Sequence, residues 1–108
     1  GNLTTKRAIA DVIDLVSALV LLAEKGDAGD VYNISGNTVY EIAEIIAVME
    51  KIIGKKINHR IDEKLLRSTD EPVIYGDSSK LIAKTGWHQA YKLEQTITDM
   101  IAYWRTKY

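Results

Sequence analysis

The sequence has 15 acidic residues and two histidines, but few of them have a spacing that would suit an acid–base pair, a nucleophile or a metal site. Glu41 and Glu44 have a spacing that would suit a general acid–base pair, but carboxylate pairs on amphipathic helices are mostly solvated surface. His59 alternates with the apolar residues of a predicted strand, and His88 has no acidic or serine partner nearby in the sequence. We therefore assign no catalytic residue.

Cofactor and metal motifs are also absent. A dinucleotide or nucleotide phosphate is usually held by a glycine-rich turn, because only glycine lets the backbone amides approach phosphate closely. The seven glycines never form such a turn, and there is no cysteine to form a disulfide, a thiolate nucleophile or a cysteine-ligated zinc site. The sequence thus predicts no cofactor or metal site in this chain, and the lack of cysteine agrees with a cytoplasmic location.

Length and composition predict a single domain over residues 1–108. The chain is 46% hydrophobic and 27% charged, with 14 basic and 15 acidic residues and a formal net charge of -1. No bulk charge favours nucleic acid or an anionic membrane as a partner. The longest apolar stretch, Leu15–Ala23, is far shorter than the roughly 20 residues of a membrane span.

Hydrophobic periodicity predicts the elements of the first half. Apolar residues at helical spacing predict a helix over Asp11–Lys25, and β-branched and aromatic residues predict a strand over Val31–Ser35. Thr38 and Glu41 have the spacing of a capping box, so we expect a second helix to begin there and to end at Gly54.

The second half of the sequence is predicted to form shorter helices and strands. In order they are a strand over Ile57–Asp62, a short turn or helix over Glu63–Leu66, a strand over Val73–Tyr75, a helix capped by Asp77 or Ser78 and ending at Thr85–Gly86, and a last helix with Leu93, Ile97, Met100, Ile101 and Trp104 on one face. The predicted fold is a small compact α/β domain of about four helices and three to four short strands. Such few and short strands do not make a complete Rossmann sheet.

Six ordered segments resemble one enzyme family. They are Gly1-Asn2-Leu3-x-x-Lys6-Arg7, Asp11-Val12-x-Asp14-Leu15-Val16, Val31-Tyr32-Asn33-Ile34, Arg67-x-x-Asp70, Gly76-Asp77-x-Ser79-Lys80 and Thr85-Gly86-Trp87. Each segment is weak evidence, but their order and spacing cover almost the whole chain. The set resembles the C-terminal, substrate-binding portion of the extended short-chain dehydrogenases/reductases, and most closely GDP-mannose 4,6-dehydratase and GDP-4-keto-6-deoxymannose reductase.

The resemblance implies that the cofactor and the substrate bind to different domains. In this family an N-terminal Rossmann domain holds NAD(P) and the catalytic Tyr-x-x-x-Lys, and the C-terminal portion grips the sugar nucleotide. NAD(P) would therefore bind a Rossmann domain that this sequence lacks, and the chain would not catalyse the reaction alone. The formal Tyr-x-x-x-Lys at Tyr103 and Lys107 lies near the chain end, where the family has no catalytic pair, and we interpret it as coincidence.

The resemblance also implies three substrate-binding residues. Arg7 and Arg67 match arginines that contact the nucleotide diphosphate, and Asp70 matches an acid that holds the ribose. The chemistry is consistent, since guanidinium groups offer forked donors to phosphate oxygens and a carboxylate accepts hydrogen bonds from hydroxyls. The alternative is a local surface ion pair between Arg67 and Asp70, worth at most about 1 kcal/mol.

Two functions remain open at this stage. One is a GDP-sugar-binding domain excised from a longer NAD(P)-dependent dehydratase or reductase, with weak affinity for a GDP-sugar. The other is a divergent or engineered stand-alone scaffold that acts through a protein partner or a homodimer. Its motivation is Ala8-Ile9-Ala10, which replaces the acid and aromatic residue usual after the family's first arginine, together with the apolar first helix.

Overall fold

Three short strands form a mixed sheet. The computed structural model describes all 108 residues of the chain. Strand β1 (Lys6–Ala8) lies in the centre, with β2 (Val39–Glu41) antiparallel to it on one side and β3 (Val73–Ile74) parallel to it on the other. Parallel pairing places Arg7 opposite Ile74. Three segments that are distant in sequence therefore meet at the central strand.

Four α-helices complete the fold. They are α1 (Val12–Lys25), α2 (Ile42–Ile53), α3 (Ser79–Thr85) and α4 (Leu93–Arg105), and a single 3-10 turn covers Glu63–Leu65. The helices pack in pairs, α1 with α3 and α2 with α4. The structure confirms the predicted α/β class with four helices and three strands, and none of the helices is long and apolar enough to cross a membrane.

The first helix begins where the sequence predicts. The Asp11 carboxylate accepts the backbone N–H of Ile13 at 2.8 Å, which satisfies one of the amides that a helix start leaves unpaired. The second carboxylate oxygen of Asp11 accepts the hydroxyl of Thr96 at 2.7 Å. Asp11 thus caps α1 and joins it to α4.

The predicted start of the second helix is wrong. Val39–Glu41 pairs with β1 instead of forming a first helical turn, so Thr38 is not a cap and α2 begins at Ile42. The capping interaction moves three residues on, where the Glu41 N–H donates to the Glu44 carboxylate at 2.6 Å. The predicted end is confirmed, because Gly54 has a φ of 69° and takes the left-handed conformation that terminates a helix.

Two further predicted strands are wrong for a common reason. Val31–Ser35 and Ile57–Asp62 have strand-like composition but no neighbouring strand with which to pair. The backbone groups of Tyr32, Asn33 and Ile34 make no hydrogen bond within the chain. The predicted strand at Val73–Tyr75 does pair, over Val73 and Ile74, because β1 lies beside it.

The core is small and is centred on a tryptophan. The buried cluster consists of Ala18, Leu81 and Trp87, with half-buried apolar residues packed around it, namely Leu21, Leu22, Tyr32 and Ile34. The indole Nε1 of Trp87 donates to the Asp14 carbonyl at 3.0 Å and lies 3.1 Å from the Ser17 hydroxyl. The polar edge of this ring is therefore satisfied inside the core.

Asp14 fixes the segment that precedes the last helix. Its buried carboxylate accepts the backbone amides of Ala90 and Tyr91, each at 3.0 Å. A buried carboxylate is stable only with such partners. Asp14 therefore holds the entry to α4 against α1.

Candidate functional site

Arg7 lies on the central strand and reaches across to the segment before β3. Its Nη1 donates to the carbonyl oxygens of Lys6, at 2.8 Å, and Glu71, at 2.9 Å. The Lys6 amide donates to the carbonyl of Pro72 at 2.8 Å, which begins the pairing of β1 with β3. Arg7 is half-buried, so these contacts fix the direction of its guanidinium.

Arg67 and Asp70 are the two ends of one turn. The Asp70 amide donates to the Arg67 carbonyl at 3.3 Å, with Ser68 and Thr69 between them. The Arg67 side chain is exposed, Asp70 is half-buried, and neither side chain makes a hydrogen bond or an ion pair with another residue. The surface ion pair considered from the sequence is therefore absent from the structure.

The fold brings two of the predicted residues to one place. Arg7 contacts the carbonyl of Glu71, the residue next to Asp70, and Arg67 lies at the far end of the same turn. Since only Nη1 of Arg7 donates to protein, Nε and Nη2 remain available to an external acceptor. A guanidinium offers forked donors to a phosphate and a carboxylate accepts hydroxyl groups, so these residue types have the chemistry to bind a phosphate and a hydroxyl-bearing group.

Other residues of the six matched segments stabilise the fold. Asp77 accepts the backbone amide of Ser79 at 2.9 Å and also its hydroxyl, and these two bonds, the hydroxyl first, hold the pKa of the Asp77 carboxyl below its ordinary value. Lys80 donates to the Asp30 carboxylate at 2.6 Å and to the Val31 carbonyl at 2.8 Å. The Lys80 ammonium lowers the pKa of Asp30.

A cavity of about 500 Å³ lies elsewhere, mainly between Ser35–Asn37, Tyr75–Ser79 and Trp87–Gln89. Its walls are tied together, because the Asn37 amide donates to the Gln89 side chain at 2.8 Å and the Gly76 amide donates to Ser35 Oγ at 3.0 Å. None of the three predicted substrate-binding residues lines it. No pattern in the sequence predicts this cavity, since its walls come from three distant segments.

The remaining chemical candidates make no site. His59 is exposed and His88 lies at the cavity, and no group of three or more histidine, aspartate and glutamate side chains is arranged to hold a metal ion. Tyr103 and Lys107 lie at the end of α4, where the Lys107 ammonium is 5.3 Å from the centre of the Tyr103 ring. This contact is a surface cation–π pair.

Comparison with known proteins identifies relatives of the whole chain. The family described as GDP-mannose 4,6 dehydratase matches residues 1–100. GDP-6-deoxy-D-mannose reductase of Pseudomonas aeruginosa is 25% identical over 107 residues, which are 99% of this chain and 35% of that protein. UDP-glucose 4-epimerase of Bacillus subtilis is 29% identical over 99 residues, or 89% of this chain and 29% of that protein.

Solved structures agree with the sequence matches. RMD from Pseudomonas aeruginosa, solved in complex with NADPH, superposes with a TM-score of 0.91 at 25% identity, over 100% of this chain and 35% of that one. The fold is thus that of a portion of the epimerases and dehydratases of the short-chain dehydrogenase/reductase class. Within that class, the chain belongs to the GDP-mannose 4,6 dehydratase family. It spans about a third of the length of the relatives that it matches.

Proposed function

We propose that this chain binds the nucleotide-sugar substrate, a GDP-sugar, of an NAD(P)-dependent sugar dehydratase or reductase. The observation that carries the proposal is the bond from Arg7 Nη1 to the Glu71 carbonyl, which holds the central strand beside the Arg67–Asp70 turn. Arg7 and Arg67 contact the diphosphate, and Asp70 accepts hydrogen bonds from the ribose hydroxyls. The free side chains of Arg67 and Asp70 support these roles, since nothing in the fold occupies them.

The names of the relatives support a shared substrate class. The Pseudomonas aeruginosa relative is named for a GDP-linked deoxymannose, and the Bacillus subtilis relative is named for UDP-glucose. The common part of these substrates is a ribose with a diphosphate, which is the part that two arginines and a carboxylate can recognise. The family match favours guanine as the base.

We also propose that the cofactor binds to a domain outside this chain and that the catalytic residues lie on that domain. NAD(P) binds a Rossmann domain that acts together with this chain, as the NADPH complex of the P. aeruginosa relative suggests for that class. The chain alone contacts the substrate and does not catalyse its conversion. Because half of the site is then missing, we expect a dissociation constant of about 1 mM, equivalent to roughly 4 kcal/mol of binding free energy.

A titration followed by backbone NMR tests the proposal. GDP, GDP-mannose and UDP-glucose are each added to the chain up to several times the expected dissociation constant. We expect shifts that cluster at Arg7 and at Arg67–Asp70, with GDP ligands binding more tightly than UDP-glucose. Absence of shifts at these positions would refute the binding role.

Matched variants separate the site from general charge effects. Arg67→Ala and Asp70→Ala should each weaken binding about tenfold, because each removes one recognition group without breaking a bond of the fold. Arg105→Ala removes the same charge from the exposed end of α4 and should leave the affinity unchanged. Equal affinity in Arg67→Ala and the unmodified chain would show that the site is assigned wrongly.

A further inference from the structure

Tyr40 of β2 is the cross-strand neighbour of Arg7. The antiparallel register of β1 with β2 places Arg7 directly opposite Tyr40. Residues paired in this way project from the same face of the sheet, with Cβ atoms about 5 Å apart. The adjacent pair, Lys6 and Glu41, projects from the other face, where its two charged groups lie 4.0 Å apart. Tyr40 and Arg7 therefore share one face, and their side chains can reach the same external group.

The charge of Arg7 is not neutralised within the chain. Its guanidinium donates only to the carbonyl oxygens of Lys6 and Glu71, and no carboxylate lies within ion-pair distance of it. The residues opposite Arg7 on its two sides, Tyr40 and Ile74, carry no charge. A half-buried cation with only neutral partners favours an anion from outside the chain.

The hydroxyl of Tyr40 is available for a hydrogen bond. Tyr40 is half-buried, and of the six tyrosine hydroxyls only that of Tyr32 takes part in a hydrogen bond within the chain. No buried side-chain polar atom lacks a partner, so the unpaired hydroxyl of Tyr40 is in contact with solvent. Because a tyrosine has few rotatable bonds, a partly packed ring offers its hydroxyl at a small cost in conformational entropy.

We propose that Tyr40 is a further substrate-binding residue, whose hydroxyl donates to the diphosphate that Arg7 binds. This inference rests on the proposed function, since it takes the diphosphate of a nucleotide-sugar as the anion at Arg7. A hydroxyl that donates to an ionised oxygen makes a short and strong hydrogen bond. Tyr40 supplies a neutral donor beside the guanidinium, so the two groups bind different oxygens of the diphosphate without repelling each other.

Tyr40→Phe tests the hydroxyl, because it keeps the ring that packs on the sheet and removes only the donor. Titration with GDP followed by backbone NMR should show an affinity about tenfold lower than that of the unmodified chain, the effect of losing one hydrogen bond. The unfolding temperature should not change, since the hydroxyl makes no bond within the chain. Tyr103→Phe removes an equally unpaired hydroxyl from the exposed end of α4, and this matched control should bind GDP like the unmodified chain.

A second ligand and a second nucleus identify the group that the hydroxyl contacts. UDP shares the ribose and the diphosphate with GDP but carries another base, so Tyr40→Phe should weaken the binding of both by the same factor. The phosphorus NMR shifts of GDP, extrapolated to full binding, should also differ between Tyr40→Phe and the unmodified chain. A loss confined to GDP, or identical phosphorus shifts, would overturn the assignment to the diphosphate.

The outcome for Tyr40 is separable from that for the proposed function. Unchanged GDP affinity in Tyr40→Phe, together with weaker binding in Arg67→Ala, would overturn the role of Tyr40 and leave the proposed function standing. Absence of GDP binding by the unmodified chain would overturn both.

Discussion

The Nη1 atom of Arg7 lies 2.9 Å from the carbonyl oxygen of Glu71, and this bond joins the central strand to the turn that carries Asp70. A hydrogen bond from a charged donor is worth more than a neutral one, and here it spans 64 residues of sequence. Arg7 thus has a structural role in addition to its proposed role at the diphosphate. The two roles make different predictions for its removal.

Arg7→Ala should loosen the Arg67–Asp70 turn as well as weaken nucleotide binding. Loss of the bond to Glu71 should raise the hydrogen-exchange rate of the Asp70 amide about tenfold, the effect of losing roughly 1.4 kcal/mol of local stability. Arg67→Ala should leave that rate unchanged, because the Arg67 side chain makes no bond within the chain. Equal exchange rates in the two variants would contradict the structural role of Arg7.

Asp14→Ala should destabilise the protein by about 2–5 kcal/mol. The substitution removes two hydrogen bonds from backbone amides to a charged acceptor, each worth roughly 1.5–3 kcal/mol. Ala90 is exposed and Tyr91 half-buried, so water partly replaces the carboxylate and lowers the total. Urea unfolding followed by tryptophan fluorescence, to which the buried Trp87 contributes, measures the change. Asp99→Ala, at an exposed carboxylate that accepts only the Gln95 side chain, is the control and should cost less than about 0.5 kcal/mol.

Gly36→Ala should cost at least about 2 kcal/mol, because the backbone of Gly36 passes too close to the residue that follows β1, Ile9, to leave room for a side chain. A Cβ at this position would lie 2.0 Å from the carbonyl oxygen of Ile9, a backbone atom that cannot move aside alone. Gly29→Ala is the control: it has a φ of 78° but open space around it, so we expect about 1 kcal/mol of backbone strain. Thermal unfolding compares the two variants, and an equal loss would contradict the clash.

Glu50 should make the stability of the chain fall in acid. The Ile57 amide, and next the Lys56 ammonium, hold the pKa of the Glu50 carboxyl below its ordinary value. A lowered pKa stabilises the fold above the ordinary glutamate pKa, and this contribution is lost as the pH falls through the folded-state pKa. Glu50→Gln should therefore be less stable than the unmodified chain at pH 7, with the difference vanishing in acid. Unfolding midpoints between pH 2 and 7 test this, and a constant difference would exclude the carboxylate as its source.

Local chemistry determined several elements from the sequence alone. The helix at Val12–Lys25 follows from its apolar period and from Asp11, whose short side chain can reach an amide two residues ahead. The helix at Ser79–Thr85 likewise ends at Gly86, which takes a φ of 72° that other residues rarely adopt. The residues that begin and end a helix interact with residues close to them in the sequence. The positions of these helix ends can therefore be predicted from the sequence.

The pairing of strands could not be predicted from neighbouring residues in the sequence. Val31–Ser35 and Val39–Glu41 both have residues suited to strands, yet only the second pairs, because β1 lies beside it in space. Strand formation requires a partner's backbone groups, and sequence composition cannot supply their position.

The same distinction applies to the candidate site. Residue types and order alone indicated Arg7, Arg67 and Asp70 through a family resemblance. Only the tertiary structure places Arg7 against the carbonyl of Glu71, since that contact depends on the parallel pairing of β1 with β3. Only the tertiary structure also leaves one face of α1 uncovered, because burial is a property of the packed chain and the apolar period of a helix does not say what will cover it.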